Sequence, residues 1–297
     1  MERLSNSRPV QMFNLANASV DELADFIEVV SFANSGEPFG LSSIQNFFGT
    51  FASTPRDRAN LAFNKIIRRK ELFGDKYPLK VTNEYIVALE KAEESMYGSC
   101  LLVSPASPLR DMPSWSFDMA GKIFENAVET ANCKFFGKET RTLNFGFPST
   151  VGRPSDFDGA VKWLAQKMEV SLGSGYRQPR RKDGGVDIFI WKKFQDPNPG
   201  VPLLLLQCTI MEDYINKIGD IDKRLWASWL SSDIDPMDGL AVPAFVTEPR
   251  TWSEITTRGF LLDRRRLVAM SDIQSRIEQT ELAFFRQCIS ELKKSFL

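Results

Sequence analysis

A chain of 297 residues, 43% apolar and 25% charged, is long enough for two folded domains and ordinary for a globular protein. Its net charge of −1 requires any nucleic-acid contact to come from a local basic patch, and its complete lack of histidine removes Ser-His-Asp and Cys-His catalysis together with most zinc hydrolases. Chemistry carried by this chain has to use carboxylates, amides, Lys, Arg, Tyr or Cys.

Taken in order, Ser19-Val20-Asp21-Glu22 reads as a capped helix start, continued at the 3.6-residue period by Leu23, Phe26, Ile27 and Val30. Residues 41–51 and 59–72 read as helices, 77–81 as extended, 84–92 as a helix and 100–104 as a short apolar segment. Pro105, Pro108 and Pro113 then interrupt the chain. They divide a mainly helical domain, 1–112, suited to recognition or assembly, from a second domain, 113–297. That domain opens with an amphipathic helix over 116–136, carrying Met119, Ile123, Phe124, Ala127, Val128 and Ala131 on one face. A short extended piece at 145–148 and a helix started by Ser155 and Asp158 follow, the latter with Phe157, Val161, Leu164 and Met168 on one side. After a β-hairpin come a helix over 212–229, strands at 240–246 and 260–268, and a long helix from Asp272 to the end. Helices bracketing a mixed sheet define an α/β domain. No run of eighteen apolar residues occurs, and Met1 to Asn6 has no apolar leader. Cys100, Cys133, Cys208 and Cys288 never form Cys-x-x-Cys, so a cytoplasmic, membrane-free protein with reduced thiols is expected.

The hairpin carries the most information. Asp183-Gly184-Gly185-Val186-Asp187 leads into Ile188 to Trp191, a turn centres near Asn198, and Leu203 to Leu206 runs into Gln207-Cys208-Thr209. Alternation puts Asp187, Phe189 and Trp191 on one face, and Leu203, Leu205, Gln207 and Thr209 on one face of the returning strand. Antiparallel pairing about that turn brings Asp187 close to Gln207. Asp187, the Gln207 amide oxygen and the main-chain carbonyl of Cys208 form a ligand set for Mg²⁺ (or Mn²⁺), which takes few protein carboxylates and leaves its other positions to water and phosphate. Gly184 and Gly185 permit close approach of backbone or phosphate just before the aspartate. Arg177, Arg180, Arg181, Lys182, Lys192 and Lys193 surround the strand and suit a nucleic-acid backbone held without sequence readout. Arg264-Arg265-Arg266 either adds to that patch or forms the solvent side of a strand. The Cys208 thiol reads as a small buried hydrophobe.

These residues resemble the PD-(D/E)XK nuclease superfamily, most closely its Mrr-like restriction-endonuclease branch, in which Gln replaces the second acidic ligand. The resemblance covers about 116–230 and rests on a helix bearing Phe124-Glu125, the Asp-Gly-Gly-x-Asp strand, and an apolar strand ending in Gln207. It implies a restriction-endonuclease-like mixed sheet and Mg-dependent phosphodiester hydrolysis of DNA, with RNA as the alternative substrate. Asp187 and Gln207 would be metal ligands and Glu125 an acidic helper, while Asp183 would orient the turn or touch metal-bound water. The implied setting is bacterial restriction or antiviral defence, with a partner subunit or a second copy of the chain. One departure matters: the family's lysine, two residues after the Gln, is Thr209 here. Lys217 is the candidate to replace it and Lys182 the second choice. The same departure favours the alternative of a catalytically degenerate nuclease fold that binds nucleic acid or assembles with protein.

Overall fold

Ser19 starts the first helix as its sequence requires. Its hydroxyl accepts the Glu22 N–H at 3.2 Å while the Glu22 carboxylate accepts the Ser19 N–H at 2.5 Å, closing a capping box. The computed structural model describes residues 17–34, 36–51, 56–133, 135–147, 149, 151–175, 179, 183–196, 200–217, 219–231, 234–271 and 277–296. In chain order the elements are α1 (Val20–Ala33), β1 (Phe39–Gly40), α2 (Leu41–Phe51), α3 (Arg56–Phe73), β2 (Leu79–Val81), β3 (Tyr85–Ala88), α4 (Met96–Val103), α5 (Phe117–Asn132), β4 (Thr140–Asn144), α6 (Phe157–Met168), β5 (Ile188–Lys192), β6 (Leu203–Cys208), α7 (Lys223–Trp229), β7 (Met237–Ala241), α8 (Pro249–Thr256), β8 (Phe260–Leu262), α9 (Arg264–Met270) and α10 (Gln279–Phe296).

Two compact units result, one of residues 1–120 with 278–297, the other of residues 121–277. The division expected after residue 112 therefore falls at 120, and the C-terminal helix expected in the second domain belongs to the first. The reason is side-chain bonding. Glu291 on α10 accepts the Ser114 N–H at 3.0 Å and also its hydroxyl, and Arg286 donates to Glu93 at 3.2 Å.

Within the first unit, β3 pairs antiparallel with both β1 and β2. The segment 84–92, expected to be helical, is thus a strand followed by a single 3-10 turn, Ala92–Glu94. Ile86 faces Phe39 on one side and Val81 on the other. The apolar segment expected at 100–104 is the end of α4. The core of this unit holds an ionic network. Arg69 reaches Asp25 at 2.8 Å and Glu28 at 3.1 Å, and the Tyr77 and Tyr97 hydroxyls donate to Glu28 at 2.5 and 2.8 Å.

The second unit is built on a five-stranded sheet in the order β4-β5-β6-β7-β8. β4, β5 and β6 are antiparallel neighbours, with α6 between β4 and β5 in the chain, and β6, β7 and β8 run parallel, with α7 and then α8 spanning the two parallel crossovers. One face is apolar where Phe189, Trp191, Leu203 and Leu205 pack with Phe157 and Leu164 of α6 and Trp226 and Trp229 of α7. Beside it Leu240 and Leu261 pack with Ile255 of α8. The helix expected over 212–229 is broken into a 3-10 turn, Tyr214–Lys217, and α7, because Asp222 caps a new start by accepting the Leu225 N–H at 3.1 Å. Likewise the strand expected over 260–268 ends at Leu262, and Asp263 caps α9 through the Arg266 N–H at 3.1 Å.

Candidate functional site

The β5–β6 register pairs Ile188 with Leu206 and Phe189 with Leu205, so Asp187 would next face Gln207. The chain departs from that ladder at this point. The Asp187 N–H bonds the Leu206 carbonyl at 2.9 Å, and its carboxylate accepts the Cys208 N–H at 2.7 Å. Its own carbonyl accepts the N–H groups of Phe145 at 2.7 Å and Gly146 at 3.1 Å. Asp187 is therefore locked by main-chain bonds to the end of β6 and to the residues after β4. Cys208, expected to offer a carbonyl to a metal, is seen supplying the N–H that holds the aspartate.

The turn before Asp187 is shaped by packing. Asp183 orients it, accepting the Gly185 N–H at 2.8 Å. Gly184 and Gly185 have φ of +63° and +79°, a region that disfavours residues with a Cβ. A Cβ on Gly184 would lie 2.7 Å from the Trp226 ring, and one on Gly185 would lie 2.7 Å from the Asp220 carbonyl. The Trp226 indole also donates to the Gly184 carbonyl at 3.2 Å. The close approach expected for backbone or phosphate is thus taken up by this chain's own backbone and an indole.

Glu125 comes to the same strand end from α5. Its carboxylate accepts the Asn144 amide at 3.1 Å and lies 3.2 Å from where a Gly146 Cβ would be, and Gly146 is itself bonded to Asp187. Glu129, one turn later, accepts the Thr142 hydroxyl at 3.0 Å. Burial pushes the Glu125 carboxyl above its usual range; the Asn144 bond and Lys122 oppose this, while Asp183 and Glu129 add to it. Burial first, then Asp187, Glu125 and Glu129, hold the Cys208 thiol well above its ordinary value. That raised thiol marks how negative the surroundings are.

Gln207 is buried and has different neighbours. Its amide donates to the Asp220 carboxylate at 3.3 Å, and it lines a cavity of about 20 Å³ with Lys217, Asp238, Leu240 and Arg258. That volume has room for one water molecule. Gln207 and Lys217 thus share a water-sized space, whereas the Asp187 main-chain carbonyl and the Glu125 carboxylate both border Gly146. Thr209 is buried, and its hydroxyl accepts the Met211 N–H at 3.2 Å, a turn-capping role.

The basic patch is only partly brought to this place. Arg177, Arg180, Arg181 and Lys182 lie outside the described residues. Lys192 and Lys193 are at the other end of β5, roughly 16 Å from Asp187 at the rise of a strand. Lys193 pairs with Glu169 there. They do not flank the aspartate as expected. The Arg264–Arg266 run opens α9, where Arg264 is buried and donates to the Pro243 carbonyl at 2.7 Å and Arg266 donates to Leu261 at 2.7 Å. Those two arginines are structural.

A basic residue that sequence reasoning passed over does sit here. The Arg153 guanidinium lies 4.2 Å from the Phe145 ring centroid and 5.6 Å from that of Phe147. Burial lowers its pKa, and the nearby Asp183 and Asp156 oppose that shift. Its only signal in the sequence was a lone arginine in a Gly/Pro loop. Among the described residues no group of three His, Cys, Asp or Glu side chains is placed to hold a metal ion. No family model, curated protein or solved structure matches the chain.

Proposed function

We propose that residues 121–277 form a Mg²⁺- or Mn²⁺-dependent nuclease that hydrolyses DNA phosphodiesters at the shared end of β5 and β6. The observation that carries this reading is the fixation of the Asp187 carboxylate by the Cys208 N–H at 2.7 Å, at the strand end where Gly146 bonds the Asp187 carbonyl and the Glu125 carboxylate borders Gly146. Asp187 and Glu125 would hold the ion, and the Gln207 amide, its nitrogen directed to Asp220, would offer its oxygen. A divalent ion, if held there, would supply an activated water and offset charge on the phosphate. The chain's part is positional. Main-chain bonds keep Asp187 from turning, and Lys217, which lines a water-sized cavity with Gln207, would take the role Thr209 cannot fill. A cytoplasmic restriction or antiviral setting with a partner subunit or homo-oligomer, and RNA as the alternative substrate, belong to the same proposal. No helix among the described residues is long and apolar enough to cross a membrane.

The test is cleavage of supercoiled plasmid and circular single-stranded DNA by purified protein with Mg²⁺ or Mn²⁺. Activity in wild type that is lost in Asp187→Ala combined with Gln207→Ala supports the reading; no cleavage of DNA or RNA under any metal or partner condition ends it. The second reading, a degenerate nuclease fold that binds nucleic acid or protein, is favoured by one observation, the use of Thr209 as a turn cap. Salt-sensitive binding without cleavage is its expected signature.

A further inference from the structure

The first unit contains a cavity of about 560 Å³ that the chemistry proposed above does not use. It is bounded by the last residues of α1, the chain after β3 and one side of α10. Sites that hold small organic ligands span roughly 300–1,000 Å³. Phe32, Ala33, Ala88, Leu89 and Ile289 make an apolar wall. Phe32 and Ala33 are buried, whereas Leu89 is 48% exposed, apolar area that an occupant would cover. The charged residues of the lining come in two sets. From α10 come Arg286 and Lys293, two turns apart and so on one helix face, and from the chain after β3 come Glu90 and Glu93. Arg286 is held by Glu93 at 3.2 Å and Glu94 at 3.4 Å. The Glu90 side chain has no hydrogen bond or ion pair among the described residues. The last turn of α1 holds no basic residue, so the negative end of that helix, at Phe32 and Ala33, favours a cation as well.

We propose that this cavity binds a small zwitterion with an apolar body, of the class of a hydrophobic dipeptide. Its ammonium group meets Glu90 and the end of α1, its carboxylate meets Lys293 on α10, and its side chains cover Leu89 and Ile289. Charge selects the class. A simple amine is drawn to Glu90 but opposed by Lys293, and a simple acid the reverse; a molecule carrying both charges is matched by both. Length selects the size. A cavity of this volume, equally wide in each direction, is roughly 8 Å across, and the termini of an extended dipeptide stand about 7 Å apart at 3.3–3.6 Å per residue. A single amino acid spans about half of that. The proposal is independent of the nuclease reading, which concerns the other unit.

The experiment titrates the dipeptide leucyl-phenylalanine into the isotope-labelled full chain and follows backbone amide resonances by NMR. Its N-acetyl form and its C-terminal amide, each lacking one charge, are titrated alongside. The amides of Gly36, Ala88 and Ser290, which line the cavity, are expected to shift with the free dipeptide in the millimolar range or below. Each blocked form should bind about 5-fold more weakly, the worth of one exposed ion pair. Glu90→Gln should weaken the free dipeptide by the same factor, bind it and the N-acetyl form alike, and leave thermal melting unchanged. Lys293→Gln should likewise bind the free dipeptide and the amide form alike. Absence of shifts, shifts confined to other residues, equal binding of all three forms, or a Glu90→Gln variant that still rejects the N-acetyl form overturns the proposal. Binding alone is read, so failure of DNA cleavage sinks the nuclease reading and leaves this result as it stands.

Discussion

Replacing Gly185 by alanine isolates the contact that shapes the approach to Asp187. Gly185 and Gly152 share a φ of +79°, so each pays the same left-handed cost on gaining a Cβ, about 1–2 kcal/mol. They differ in what that Cβ meets: the Asp220 carbonyl at 2.7 Å for Gly185, and nothing within 4 Å for Gly152. Overpacking against backbone that cannot rotate away adds about 1–3 kcal/mol. Gly185→Ala is therefore expected to lose about 2–5 kcal/mol and Gly152→Ala about 1–2 kcal/mol, from the sum of those two ranges and from the first alone. Urea unfolding followed by tryptophan fluorescence suits the comparison. Trp163, Trp191, Trp226, Trp229 and Trp252 lie in the second unit, and only Trp115 lies in the first. The midpoints should separate at unchanged slope. Equal losses in the two variants would refute the account of the turn, because the Asp220 backbone would then not be what Gly185 makes room for.

Glu28→Ala in the first unit strips Arg69 of one carboxylate and removes the acceptor that the Tyr77 and Tyr97 hydroxyls share, at an expected cost of about 3–5 kcal/mol; a loss below about 1 kcal/mol in helix melting by circular dichroism would contradict that network. Glu125→Gln is expected to stabilise the protein at neutral pH. A carboxyl whose folded pKa is raised above 4.5 costs stability as pH rises through the window between the two, so the variant's gain should be full above that window and vanish below about 4.5; a gain that grows on acidification would show the sign to be wrong. Among the cysteines, exposed Cys133 should alkylate first in the native protein. Cys208, held high by burial and neighbouring carboxylates, and Cys288, pushed up to about 11, should react only on unfolding, as read by peptide mass spectrometry.

Elements with a local signature were readable in the sequence. The Ser19–Glu22 cap, the Leu41–Phe51 helix and the apolar stripes of α5 and α6 need only nearby residues to specify them. The α/β class and the hairpin register up to Ile188 and Leu206 were equally accessible, because alternation and turn position set them. What failed depended on distant partners. Tyr85–Ala88 is apolar enough for either period and becomes a strand by pairing with Phe39–Gly40 and Leu79–Val81. The C-terminal helix looked contiguous with the second domain, yet Glu291 and Arg286 tie it to Ser114 and Glu93. At the site, the approach of Asp187 to the end of β6 was legible, but its bond to the Cys208 N–H was not, since it requires the ladder to break. Lys192 and Lys193 misled because closeness in sequence along an extended strand is distance in space.

The rate of DNA cleavage by Asp187→Ala, relative to wild type at saturating Mn²⁺ and matched folding, tests the central claim most directly. Loss of a fixed carboxylate at a charge-stabilising centre predicts a drop on the order of 10²–10³ or more, with the melting transition retained. Cleavage by the variant at the wild-type rate would contradict the assignment of chemistry to this strand end.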